Sequence, residues 1–302
     1  MNSDISECRL CPRNCGVDRT QGLKGYCGMS GEIRLARAAL HMWEEPCISG
    51  VNGSGAVFFS GCLLRCVYCQ NHSIALGNIG KAVTLDRLVD IFFELKEKGA
   101  HNINLVTPTH YVPQIAEALL LARDSGLQLP IVYNTSSYEN VETLKQLDGL
   151  IDIYLPDFKY YSSELADRYS HAPDYAEVAK AAIAEMVRQT GKAVFVNGDE
   201  DNLILSGTIV RHLTLPGCMA DSMQILKYLH ETYGDMIYIS IMNQFTPLSN
   251  LEKYPELNRR ITDEEYETLV DYAIDIGIEN GFIQEGDTAE ESFIPAFDCE
   301  GV

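Results

Sequence analysis

The sequence is short of positive charge: its 302 residues hold 23 Lys and Arg against 43 Asp and Glu, a formal net charge of −20. A surface that acidic repels phosphate backbones and anionic bilayers, which argues against nucleic acid as a ligand and leaves room only for local basic clefts. Long apolar runs are missing too, so no segment reads as a membrane span. The polar, cysteine-rich stretch Met1–Cys15 does not read as a signal peptide. There is no internal repeat and no low-complexity tract. These absences point to a cytoplasmic protein that engages neither membrane nor nucleic acid. Apolar content of 46% and charged content of 22% are ordinary for a globular chain. The length suits one barrel-sized core or two small domains.

Cysteine, by contrast, is plentiful. Ten cysteines without a secretory leader favour metal binding in a reducing compartment over a disulfide framework. Three of them crowd into eight residues, Cys62-Leu-Leu-Arg-Cys66-Val-Tyr-Cys69, behind the apolar run Ala56–Phe59 and the hinge Ser60-Gly61. Thiolates select zinc or iron–sulfur clusters. Either normally takes four ligands, so three cysteines leave one corner open for a substrate or cofactor. Two blander readings compete. Positions 62, 66 and 69 could form one buried stripe of a helix, although Gly61 and the preceding strand place them at a strand-to-loop junction. Alternatively, His72 could complete a closed and inert zinc site.

A second group, Cys8, Cys11, Cys15 and Cys27, sits among glycines near the N-terminus. Four thiols at that density signal a metal site, either a structural zinc knuckle or an auxiliary iron–sulfur cluster. Cys47, Cys218 and Cys299 stand alone and read as free thiols.

Hydrophobic periodicity alternates strand and helix. Strands are expected at 56–60, 102–106, 130–133, 151–155, 208–215 and 236–241, with a hairpin over 193–197 and 202–206. Helices are expected from Thr84 to Gly99, from Pro113 to Gly126, around 141–147, through a broken stretch over 162–191, over 220–233, and after the capping box Thr262-x-x-Glu265. Six strand–helix units argue for an α/β fold with parallel strands and right-handed crossovers.

The segment Gly61-Cys62-Leu-Leu-Arg-Cys66-Val-Tyr68-Cys69-Gln-Asn71 resembles the C-x3-C-x2-C signature of radical S-adenosylmethionine (SAM) enzymes, and its wording is most similar to pyruvate formate-lyase activating enzymes. The resemblance implies a partial (β/α)6 TIM-like barrel over residues 51–285, a cysteine-rich metal-binding extension over 1–50 and a C-terminal tail over 286–302. It also implies a [4Fe–4S] cluster on Cys62, Cys66 and Cys69, with SAM on the fourth iron, and Tyr68 beside them. A flavodoxin or ferredoxin would supply electrons. The product radical would abstract hydrogen, from a glycyl radical enzyme if the activase likeness extends that far. A small molecule or peptide is the alternative substrate, and a non-catalytic zinc or iron–sulfur scaffold a third reading.

Barrel active sites lie at the carboxyl ends of the strands, where several motifs fall. Asp157 and Lys159, two apart on a strand, share a face; they could be a structural salt bridge, but they are similar to an Asp-x-Lys pair of the activases, which implies polar contacts to SAM. Asn134, within Tyr-Asn-Thr-Ser, stands where activases carry a carboxylate. Arg211, in a stretch before Pro216-Gly217 that resembles the activases, would grip the SAM carboxylate or else form an inward salt bridge to an acidic neighbour, whereas His212 faces the other way. Met242–Phe245 would close the adenine side. Activases use Gly-Gly-Glu after the second strand; this chain has Thr107-Pro108-Thr109-His110, and Thr107 and Thr109 are expected to take over the SAM ammonium.

Overall fold

The computed structural model describes residues 5–196, 202–248, 251–284 and 295–302. Its strands are β1 (Ile33–His41), β2 (Ser54–Phe59), β3 (Lys81–Val83), β4 (Ile103–Val106), β5 (Ile131–Thr135), β6 (Ile153–Pro156), β7 (Val194–Phe195), β8 (Ile204–Leu213), β9 (Tyr238–Met242) and β10 (Gly281–Ile283). They join one sheet in the order β10-β9-β8-β6-β5-β4-β2-β1-β3, with β7 paired to β8 off that path. Neighbours from β2 to β10 are parallel, while β1 runs antiparallel to both β2 and β3. This is the expected α/β fold with a mostly parallel sheet, in keeping with a partial barrel.

Helices supply the crossovers: α1 (Pro46–Ser49), α2 (His72–Ala75), α3 (Leu85–Glu97), α4 (Val112–Asp124), α5 (Val141–Leu144), α6 (Ser163–Ser170), α7 (Tyr175–Thr190), α8 (Met219–Tyr233) and α9 (Asp263–Asp275). Their starts follow from sequence. The Thr84 hydroxyl accepts the Arg87 amide to open α3, Ser162 caps α6, and Thr262 with Glu265 forms the full capping box of α9. Buried Leu88, Ile91, Phe92 and Leu95 give α3 one apolar stripe. That stripe joins Ile115 and Leu119 of α4 against Ile103, Leu105, Ile131 and Tyr133 on the outer face of the sheet. Each such burial stabilises by about 1.5–3 kcal/mol.

Strand alternation sends the remaining side chains inward. Val132, Ile153, Leu155 and Ile209 meet Cys47 and Ile48 of α1. The β1–β2 connection therefore fills the inside of the barrel, and Asn102 fixes it by donating to the Ile48 carbonyl at 2.7 Å.

Three details differ from expectation. Strands β1, β3 and β10 were not anticipated, and β10 lengthens the parallel run to seven strands. The second arm of the hairpin and the fifth barrel strand are one strand, β8. Gly207 (φ +139°) carries the chain past Ala193, where a Cβ would meet the Ala193 Cα at 2.7 Å. The turn over 198–201 lies outside the described residues, as do residues 286–294 of the expected tail. Residues 33–50, within the expected extension, contribute β1 and α1 to the fold. Among the described residues, no helix is long and apolar enough to cross a membrane.

Candidate active site

At the carboxyl ends of the parallel strands lies a cavity of about 240 Å³. Its wall includes Cys62, Cys66, Tyr68 and Cys69 from the loop after β2, Thr107 after β4, Asn134 on β5, Asp157 and Lys159 after β6, and Arg211 on β8. Motifs scattered over some 150 residues thus share one space. Met242 and Gln244 line it as well, and Gln70 donates to the Gln244 carbonyl at 3.0 Å.

The three thiols of the loop are free. Burial, then the Cys66 and Cys62 thiols, pushes Cys69 up to about 12, and burial likewise raises Cys62. Lys159 acts against both shifts, as do amides of Asn71 for Cys69 and of Leu64 and Arg65 for Cys62. A metal must therefore displace thiol protons on binding. The donor set, three soft sulfurs on one wall of a polar cavity beside an ammonium, fits a [4Fe–4S] cluster with one iron open to SAM. Among the described residues no three His, Cys, Asp or Glu side chains are gathered tightly enough to grip a single ion as they stand. His72 is exposed and opens α2, away from the cavity wall.

The same cavity holds a charge network. Arg211 donates to Asp157 Oδ1 at 2.8 Å, Asn134 Oδ1 at 2.7 Å and Glu44 Oε2 at 2.9 Å. Lys159 donates to Asp157 Oδ2 at 2.7 Å. Burial would raise the Asp157 carboxyl, but Arg211 and Lys159 hold it below its ordinary range. Burial is the largest single influence on the Lys159 and Arg211 cations and disfavours both, but Asp157 with Cys66 for Lys159, and Asp157 with Glu45 and Glu44 for Arg211, together hold them above their ordinary values. Asp157, Lys159 and Arg211 are therefore ionised at neutral pH.

The sequence reading did not find Glu44. It lies just before α1, and its Oε1 also accepts from Asn104 at 3.0 Å and Asn134 at 3.2 Å. His41 and Trp43 from the same segment line the cavity as well. Next to Glu44, burial raises the Glu45 carboxyl, and its Oε2 has no hydrogen-bond partner. The local signal was only a tandem acid pair between Trp43 and Pro46, which says nothing of where the segment will dock.

Thr109 is not on the cavity wall. It is 1% exposed and donates to Glu139 Oε1 at 2.6 Å. Thr107 is on the wall with φ +58°, a left-handed conformation that is strained for a β-branched residue. His212 turns away, bridging the Phe158 carbonyl and Ser222 Oγ at 2.8 Å each, and burial lowers it to about 4. Tyr68, on the wall with the thiols, stands edge-on to Tyr160, Tyr169 and Phe245. At the N-terminus, burial, then the neighbouring Cys27, Cys15 and Cys8 thiols, pushes Cys11 up to about 12, so the four thiols are neighbours without yet being drawn tightly enough to grip one ion.

Residues 56–202 match the Radical SAM superfamily. An uncharacterized protein of Methanocaldococcus jannaschii is 26% identical over 280 residues, covering 89% of this chain and 75% of that protein. The fold is similar to that of methylornithine synthase (TM-score 0.50, 15% identity, 74% of this chain and 60% of that one). It is also similar to HydG, a maturase of the [FeFe]-hydrogenase (TM-score 0.51, 17% identity, 77% and 52%). The chain thus spans about half to three fifths of the length of these two structures. The matched segment carries the three-cysteine loop, and the match supports a radical SAM enzyme with a [4Fe–4S] cluster and SAM as its cofactors.

Proposed function

We propose that Cys62, Cys66 and Cys69 hold the cluster and that SAM lies between it and the polar wall of Asn134, Asp157, Lys159 and Arg211. The observation that carries this reading is the meeting of the loop thiols and the Arg211 network on one cavity. When reduced by one electron, cluster and SAM together supply a 5′-deoxyadenosyl radical that abstracts hydrogen from a substrate. The chain's own work is binding, orientation and exclusion of water. Arg211 and Lys159 offer cationic donors to a carboxylate, Asn134 an amide to ribose hydroxyls, and Thr107 and Glu44 oxygen acceptors to an ammonium. Tyr68 packs the cysteine loop against its aromatic neighbours. Radical SAM enzymes generally need a reductant; a flavodoxin or ferredoxin is the donor we propose.

For the substrate we favour a glycyl residue of a partner enzyme, on the similarity of the loop wording and the Asp157-x-Lys159 pair to activating enzymes. A small molecule or peptide is the second reading, which the Thr107-Pro108-Thr109 departure from the activase pattern supports. Anaerobic reconstitution with dithionite and SAM tests the first part: wild type should release 5′-deoxyadenosine, and Cys66→Ala should lose both the brown cluster and that product. Release by the Ala variant would refute the ligand assignment. Incubation with a glycyl radical enzyme followed by electron paramagnetic resonance tests the second. Without a glycyl doublet, the activase reading fails and the small-substrate reading stands.

A further inference from the structure

The N-terminal cysteines belong to a part of the fold with little regular structure of its own. Among the described residues before β1, the only regular element is one short 3-10 turn, Arg19–Gln21. Cys8, Cys11, Cys15 and Cys27 form no disulfide, yet three of them are buried. Segments of this kind are ordinarily stapled by disulfides or a metal.

The backbone brings the four together. Cys8 exchanges amide–carbonyl bonds with Val17 and Gly16 at 3.0 and 2.9 Å, closing a loop around Cys11. The Tyr26 amide donates to the Cys15 sulfur at 3.1 Å, which docks Cys15 on the turn that carries Cys27. Gly25 has no side chain for this reason: a Cβ there would lie 3.3 Å from the Cys15 sulfur.

A second, independent sign is Arg19. Its guanidinium is buried, with the residue 1% exposed, and it donates to the Ser30 and His110 carbonyls and, at 3.8 Å, to the Cys8 sulfur. Among the described residues no carboxylate pairs with it. A buried cation without a counter-charge is costly. A metal held by four thiolates carries net negative charge and would supply it.

The same segment grips the loop after β2. Arg13 donates to the Leu63 carbonyl at 2.9 Å and to the Ser170 carbonyl at 2.8 Å, with its guanidinium 4.1 Å above the Tyr26 ring. Arg65, in a left-handed conformation at φ +54°, also lies over that ring, at 5.1 Å. The Cys27 carbonyl and the Arg65 guanidinium crowd Gly61 and Gly28, where a Cβ would meet them at 2.7 and 2.9 Å.

We infer that Cys8, Cys11, Cys15 and Cys27 bind a thiophilic metal, as zinc or as an iron–sulfur group, and that this metal clamps the Cys62–Cys69 loop in the shape its own cluster requires. Loading displaces the four thiol protons and draws the sulfurs together. The site stands without the proposed catalytic reading; only the clamp's purpose rests on it.

The test uses the full chain with Cys62, Cys66 and Cys69 all changed to Ala, purified without oxygen. It should retain about one zinc per chain, or iron with matching sulfide, which separates the two forms. Adding Cys8→Ser and Cys11→Ser should abolish that metal. Should the five-fold variant fail to fold, titrating the folded triple variant with a mercurial serves instead: metal release into a chromophoric chelator should follow thiol modification. A folded triple variant that neither contains nor takes up zinc or iron would overturn the site. Arg13→Ala should keep this metal while amide exchange over residues 62–69 rises several-fold; unchanged exchange would overturn the clamp. Failure of the catalytic reading looks different, since wild type would then carry the N-terminal metal yet leave SAM intact.

Discussion

Glu44, which precedes the first parallel strand, accepts a hydrogen bond at 2.9 Å from Arg211, on the fifth parallel strand of the barrel. One guanidinium thereby ties the barrel's inner plug to β5 and β6 through Asn134 and Asp157. Removing it leaves Glu44 without its cationic partner and Asp157 with Lys159 alone. Arg211→Met should cost about 3–5 kcal/mol of stability, as expected when one partner of a buried pair is lost. Glu44→Ala should cost less, about 1–3 kcal/mol, because Asp157 still holds the cation. Arg211→Lys should rescue poorly, since an ammonium lacks the planar fork that reaches three acceptors. Thermal unfolding gives the ranking, and equal midpoints for Arg211→Met and wild type would contradict it. All three changes should lower SAM cleavage.

Tyr68 shares the cavity wall with the thiols and lies within 6.0–6.3 Å of three aromatic centroids, those of Tyr160, Tyr169 and Phe245. Tyr68→Ala opens a cavity in the loop's packing and should cost about 3–5 kcal/mol. Tyr68→Phe keeps the ring and should retain both stability and cluster content. Iron per chain after reconstitution distinguishes them. Equal iron in the Ala variant would show that the loop holds its shape without this packing.

Much of this architecture was legible because its signals are local. Thr84, Ser162 and the Thr262–Glu265 box mark helix starts, and spacing of two puts Asp157 and Lys159 on one face. Strand β1 was hidden for a physical reason. A bulge between Leu35 and Arg37 breaks its period of two, so Leu35 and Ala36 are both buried and no clean alternation survives. Strands β3 and β10 have three residues each, too few for periodicity to register. Glu44 was illegible for another reason: its partners lie 60 to 167 residues away, and only the folded sheet brings them near.

Thr107 combines strain with a place on the cavity wall. A β-branched residue at φ +58° costs on the order of 1–3 kcal/mol, a penalty glycine does not carry. Thr107→Gly should therefore raise the unfolding midpoint while weakening SAM binding, because the hydroxyl is lost. Calorimetry and equilibrium binding read the two effects separately. A lower midpoint would mean that contacts of the threonine side chain outweigh the strain.

Glu139 makes the fold sensitive to pH. Its Oε1 accepts from the hydroxyls of Thr109, Tyr133 and Thr135, while Oε2 is buried without a partner. Burial pushes this carboxyl from 4.5 up to about 7, despite the hydroxyl donors that pull it down. A raised carboxyl favours the protonated folded state, so its contribution is fully present below the ordinary value of 4.5 and is lost as pH rises through about 7. At 1.36 kcal/mol per pH unit, the loss across that window is about 3 kcal/mol. Glu139→Gln keeps the shape and removes the titration, so its stability should fall less than that of wild type between acidic and neutral pH. Urea unfolding of both proteins on either side of the window measures this. Parallel pH profiles would show that Glu139 remains charged in its buried site, and that the three hydroxyls suffice to hold the charge.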